Sequence, residues 1–157
     1  MSAQLIHDHA PLGAIISYSD GTPRPPERHR RKLQAWERRN NKGRLVKKRD
    51  GTSVGVTRIS ASFTLHEGDF SSNAVIVLRV FKSFSVDSDL TFTVVEAPAA
   101  GSVLVFSRPG DAGELVHVAD NRPAADEWLS RHGYPHAMLH EVTADEAAAD
   151  HVEGRVA

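Results

Sequence analysis

Arg44-Leu45-Val46-Lys47-Lys48-Arg49-Asp50-Gly51-Thr52-Ser53-Val54-Gly55-Val56-Thr57 is the stretch at which the chain turns to β patterning. Two β-prone runs flank Asp50-Gly51, a pair suited to a two-residue hairpin turn because both positions accept positive φ. The second run continues through Ile59, Ala61, Phe63 and Leu65, alternating with Ser60, Ser62 and Thr64. That period of two predicts a half-buried strand. Everything downstream to Val118 follows the same style. His66–Asn73 reads as a loop, and Ala74–Val86 as a central strand, because Val75–Leu78 is apolar on both faces. Leu90–Val94, Ser102–Phe106 and Glu114–Val118 are further strands separated by Asp-, Pro- and Gly-bearing turns. Short turns favour antiparallel neighbours. The fold class expected is α+β: an antiparallel β-meander, flat or curled into a small open barrel, with a basic N-terminal helix and one or two C-terminal helices.

Upstream, residues 1–11 read as a disordered N-terminus, being polar and without visible periodicity. Residues 12–43 form a basic strand-turn-helix segment. Its strand is Gly13–Tyr18, its turn Ser19–Pro23, and its helix Glu27–Asn40, entered through Pro26. Asn40-Asn41-Lys42-Gly43 is the expected stop. Downstream, residues 44–157 hold the meander and a C-terminal helix-strand-helix, all within one compact domain. Ala125, Trp128, Leu129 and His132 recur at i, i+3, i+4, i+7, an amphipathic helix over Pro123–His132 closed by Gly133. Met138–Val142 is a strand, so 114–142 has the form of a crossover. Thr143-Ala144-Asp145-Glu146 is a capping box that opens a helix reaching about His151.

With 157 residues, 40% hydrophobic, the chain is one domain's worth of sequence with a modest core. It has no cysteine, which excludes disulfides, thiolate zinc sites and a cysteine nucleophile. No apolar run reaches the roughly 18–20 residues of a membrane span. The first residues lack a signal-peptide pattern, so a soluble cytoplasmic protein with no membrane partner is expected.

Formal net charge is −1, yet the charges are sharply segregated. Arg24 to Arg49 holds twelve basic residues against Glu27 and Glu37, a net of +10. The remaining 7 basic and 18 acidic residues sum to −11. Such a block points to a partner rather than to a fold. Helix and hairpin together suit nucleic-acid phosphates, with Leu33 and Trp36 packing on the β-sheet. Arg28, Arg30, Arg31, Arg38 and Arg39 on the helix, and Lys47, Lys48 and Arg49 at the hairpin tip, are the candidate contacts. Phosphate contacts position a protein without specifying sequence. The expectation is non-catalytic binding of DNA or RNA, with no cofactor. The alternatives are a regulator or inhibitor docking on an oppositely charged protein, or a plain solvated face.

Other constellations are weaker. Phe63, Phe81, Phe84, Phe92 and Phe106 could stack bases if exposed, but alternation assigns Phe63 and Phe92 to a core. His132, His136 and His140 recur every four residues, the spacing of a metal-binding helix face. Gly133 and Pro135 interrupt any such helix, which leaves a metal-assisted hydrolase as a minor alternative. No nucleophile elbow, phosphate-binding loop or His-Glu-x-x-His motif is present. For a metal-independent nuclease, His117 beside Glu114 and Arg108 is the first place to look.

Overall fold

The computed structural model describes residues 1–73 and 75–148. In chain order its elements are α1 (Ala3–His9), β1 (Ile15–Ser19), α2 (Arg30–Glu37), β2 (Asn41–Arg49), β3 (Thr52–Val54), β4 (Thr57–Ile59), β5 (Ser62–Ser72), β6 (Val75–Ser85), β7 (Thr91–Glu96), β8 (Val103–Phe106), β9 (Leu115–Ala119), α3 (Arg122–Ser130) and β10 (Met138–Glu141). Residues 144–148 are also helical. The fold is α+β, and its antiparallel sheets stay open rather than closing into a barrel. Among the described residues, no helix is long and apolar enough to cross a membrane.

The larger sheet has the order β6-β5-β2-β1-β7. From β1 through β2 and β5 to β6 it is a meander, and β7 returns to pair on the far side of β1. Leu45 and Val46 are consecutive on β2, and both are buried. Leu45 joins a core with Ile16, Tyr18, Phe63, Leu65, Phe84 and Phe92. Val46 joins a second core with Leu104, Leu115 and Val142. The aromatic cluster fills the first: Phe63 and Phe92 meet edge-on at 5.3 Å, and Tyr18 lies 4.8 Å from Phe84. Core packing is therefore the role of Phe63, Phe84 and Phe92.

The smaller sheet has the order β10-β8-β9. Alternation along β8 serves two layers. Leu104 and Phe106 pack toward Val46, while Val103 and Val105 pack under α3 through Ala125, Trp128 and Leu129. The layers thus run α1, large sheet, small sheet, α3. β9 and β10 both pair antiparallel to β8, so the 114–142 crossover passes over a strand that lies between its ends.

Several sequence expectations are corrected. The N-terminus is ordered. Ser2 Oγ accepts from Leu5 N to cap α1, and Ala3, Ile6 and Ala10 form a buried helical face. The Met1 amino group donates to Phe92 O at 2.7 Å. Three small or branched apolar residues suffice here because the sheet supplies the opposite surface.

The basic helix is shorter than Glu27–Asn40, and the chain crosses Gly43 inside β2 instead of stopping there. Gly43 is buried, and a Cβ on it would stand 2.9 Å from His66 O. Close strand approach, not termination, explains this glycine.

Asp50-Gly51 is a connector and not the hairpin turn. The turn lies at Gly55-Val56, with Gly55 at φ 61°, as a two-residue turn with glycine first requires. β2 pairs with β5 instead, where Leu45 meets Leu65 and Lys48 meets Phe63. Burial of Phe63 and Leu65 outweighs the local turn preference.

The 66–73 loop is strand. β5 runs on to Ser72 through bulges at His66/Gly68 and Phe70/Ser71, and turns at Asn73 with φ 50°. β6 is an edge strand rather than a central one, and Val75 and Leu78 are 66% and 57% exposed.

At the C-terminus, α3 stops at Ser130 before Gly133, which keeps a negative φ. The capping box forms as expected. Thr143 Oγ1 accepts from Glu146 N at 3.2 Å, and a Glu146 carboxylate oxygen accepts from Thr143 N at 2.9 Å. His151, the expected helix end, lies outside the described residues.

Two substitutions test this packing. Ile6→Ala should cost about 2–5 kcal/mol in a denaturant titration, whereas a residue in a disordered tail would cost nothing. Gly43→Ala should cost about 1–3 kcal/mol by overpacking β2 against the β5 backbone.

Candidate functional site

The basic segment is anchored at its base and free above it. Asn40 is the anchor. Its Oδ1 accepts from Ser19 Oγ at 2.7 Å and Asp20 N at 3.2 Å, and its Nδ2 donates to Trp36 O at 2.8 Å and Asp20 Oδ1 at 3.1 Å. Trp36 Nε1 donates to Thr22 O at 3.0 Å. Hydrogen bonds from the Thr22 hydroxyl and backbone N–H, then from Asn40 and Arg39, bring the Asp20 carboxyl down to about 2. Leu33 and Trp36 are half-buried, and no residue of α2 is fully buried.

At 100° per residue, Arg31 lies on the face opposite Leu33 and Trp36, whereas Arg38, the C-cap residue, lines a groove with Gln34, Glu37, Phe81 and Lys82, and Lys82 Nζ donates to its carbonyl. Arg28, Arg30, Arg31 and Arg38 are exposed, and none has a carboxylate partner among the described residues. Arg39 is engaged internally, reaching Asp20 at 3.3 Å and Asp89 at 3.4 Å.

Lys47, Lys48 and Arg49 do not sit at a hairpin tip. Lys47 opposes Thr64 and Lys48 opposes Phe63, so the two lysines face opposite sides of the large sheet. Both are half-buried, and only Arg49, at the strand end, is exposed. Its carbonyl lies 3.0 Å from His7 Nε2 of α1. β2 separates this group from α2 by roughly 25 Å, eight strand steps of about 3.3 Å. The cations of α2 and those expected at the hairpin tip are therefore separate groups at opposite ends of one strand.

A third destination takes Arg44. It lines a cleft of about 490 Å³ with Val46, His66, Asp69, Leu78, Arg79, Leu115–Val118, Trp128, His132 and Tyr134. Arg44, His66 and Phe81 stand opposite one another across β2, β5 and β6, so they share a face. His66 Nε2 lies 2.6 Å from Asp69 Oδ1, and Arg79 Nε donates to the same oxygen at 3.3 Å. Burial works against ionisation of Asp69, but His66 and Arg79 outweigh it and hold its carboxyl below the ordinary range. Phe81 packs on both partners, 5.1 Å from the His66 ring and 5.7 Å from the Arg79 guanidinium.

The opposite wall is aromatic. Trp128 on α3 lies parallel to His117 of β9 at 4.6 Å and to His132 at 3.9 Å, with Tyr134 at 5.7 Å. His132 Nδ1 is 2.7 Å from Trp128 O, which fixes its ring. Burial, then the charges of His132 and Arg44, push His117 below its ordinary 6.5, with Asp120 opposing.

His117 is thus in a titratable cluster, but neither Glu114 nor Arg108 lines it. His140 turns away to Glu146 at 3.1 Å. Among the described residues, no three His, Asp or Glu side chains converge as a metal site would require. Sequence reasoning missed His66, Asp69 and Arg79 because they fall in the segment taken for a loop and on the strand taken as central. The available signal was the i, i+3 pair His66/Asp69 beside Gly68, where a bulge re-aims both side chains.

Residues 1–146 match the model of a family described as uncharacterised conserved protein UCP036055. The chain belongs to that family. No curated protein and no solved structure matches it. Both the α2 segment and the whole cleft lie within the family's span.

The cleft electrostatics are open to measurement. By NMR titration His117 should protonate below 6.5, and Arg44→Gln should move its midpoint upward by removing a neighbouring cation. The unfolded chain takes up this proton first. His117 therefore contributes stability that is complete above the unfolded value and is lost as pH falls through the folded one.

Proposed function

We propose that this protein binds nucleic acid through α2 and the turns flanking it, without catalysis. The observation that carries the reading is that Arg28, Arg30, Arg31 and Arg38, in and around α2, are exposed and without carboxylate partners among the described residues. Over residues 24–39 seven basic side chains stand against two acidic ones, a net of +5. An α-helix of this kind can lie along a phosphate backbone while Trp36 and Asn40 hold its inner side to the fold. The gain is release of condensed counterions, which makes binding salt-sensitive and indifferent to sequence.

Lys47, Lys48 and Arg49 enter this reading as a separate group, since a strand's length divides them from α2. Arg39 serves to hold the segment in place. The reading sets the protein to work in the cytoplasm. A lipid surface fits less well, because Leu33 and Trp36 form too narrow an apolar face.

Fluorescence anisotropy with a labelled oligonucleotide tests the proposal. The logarithm of the association constant should fall with the logarithm of salt at a slope of about −3 for a single strand and about −3.6 for a duplex, as four phosphate contacts require. Arg31→Glu with Arg38→Glu should abolish binding. Reversing Lys47, Lys48 and Arg49 instead should leave most of it. Absence of binding at low salt, or a slope near zero, would remove the reading. A pull-down complex that survives nuclease would favour the acidic-protein partner in its place.

A further inference from the structure

We infer that the cleft between the large sheet and the β9/α3 wall is a binding site for a small organic phosphate, separate from the α2 surface. Three observations converge on it. The first is charge. Arg44 and Arg79 line the cleft with three histidines, and Asp69 is its one carboxylate. That carboxylate is already taken by His66 at 2.6 Å and Arg79 at 3.3 Å. Two guanidinium groups against one paired carboxylate leave the cleft one formal positive charge and no unpaired carboxylate.

The second is a set of donors without acceptors. Arg44 gives one guanidinium nitrogen to Gly13 O at 2.6 Å, and its others have no partner among the described residues. Trp128 Nε1, Tyr134 Oη and the His117 ring, which has one N–H to donate when neutral, likewise have none, and all three residues are half-buried. No buried side-chain polar atom lacks a partner among the described residues, so these groups reach the solvent of the cleft and are open to a ligand there. An oxyanion with several acceptor oxygens is the chemistry that satisfies them together.

The third is size and lining. A volume of about 490 Å³ exceeds what an inorganic ion fills and falls in the range of small-molecule sites. Leu78, Val116, Val118, Trp128 and Tyr134 supply apolar surface for the organic part. A dianionic phosphate is favoured over a carboxylate because two guanidinium groups, on β2 and β6, line the same cleft. No residue here belongs to α2, so the two proposals stand or fall separately.

The probe is Trp128 itself. Trp36→Phe leaves it as the sole indole, since the chain has two tryptophans. Phenyl phosphate should change its emission saturably, and inorganic phosphate should compete more weakly. Phenol should have no saturable effect. His117→Gln and Arg79→Gln should each weaken phenyl phosphate at least tenfold, with circular dichroism showing an unchanged fold. Arg44→Gln should do the same, and if loss of its bond to Gly13 O unfolds the chain, the other two variants decide. Arg31→Gln should leave the titration unaltered. No saturable change with phenyl phosphate into the millimolar range would overturn the inference. So would phenol binding as tightly as its phosphate ester, or full affinity in both His117→Gln and Arg79→Gln.

Discussion

Burial of β2 on both faces is the constraint on which the rest of this structure depends. Leu45 and Val46 are neighbours in sequence, yet they belong to different cores. A strand alternates its side chains, so two consecutive buried residues require partners above and below. The partners above are α1 and the aromatic cluster around Phe63, Phe84 and Phe92. Those below are Leu104 and Leu115 of the small sheet and Val142 just beyond it. Val46 is the large-sheet residue buried in the core beneath the C-terminal sheet.

The same strand distributes the charge. Its basic residues share one continuous run of sequence but end in three environments. Lys42 stands at the α2 end, Arg44 turns into the cleft, and Lys47–Arg49 lie toward α1. Alternation and the bulge between Leu45 and Lys47 do the sorting. A net of +10 in 26 residues of sequence is thus not one patch. It is a basic helix, a cation in a cleft, and a group at the far strand end.

Local pattern was legible wherever a residue's role is settled by its near neighbours. The Thr143–Glu146 box, the amphipathic spacing of Ala125, Trp128 and Leu129, and the alternation that buries Phe63 all lie within a few residues of their cause. The errors lie where a distant surface decides. Ala3, Ile6 and Ala10 become a buried face only because Phe92 and Leu45 lie beneath them. Asp50-Gly51 loses the turn to Gly55-Val56 because β2 gains more from Leu65 and Phe63 than from Thr52 and Val54. Val75–Leu78, apolar throughout, falls on a sheet edge because the return of β7 caps β1 and not β6.

The sequence by itself determined the α+β class, the antiparallel character, the Thr143–Glu146 capping box and the segregation of charge, since these follow from local periodicity and composition. Only the tertiary structure decided which strands are central, which cations share a surface, and that Arg44, His66, Asp69 and Arg79 meet His117 and Trp128. All of these but Trp128, on α3, lie on strands whose pairing is set by burial over long sequence separations. No spacing along the chain encodes such a meeting.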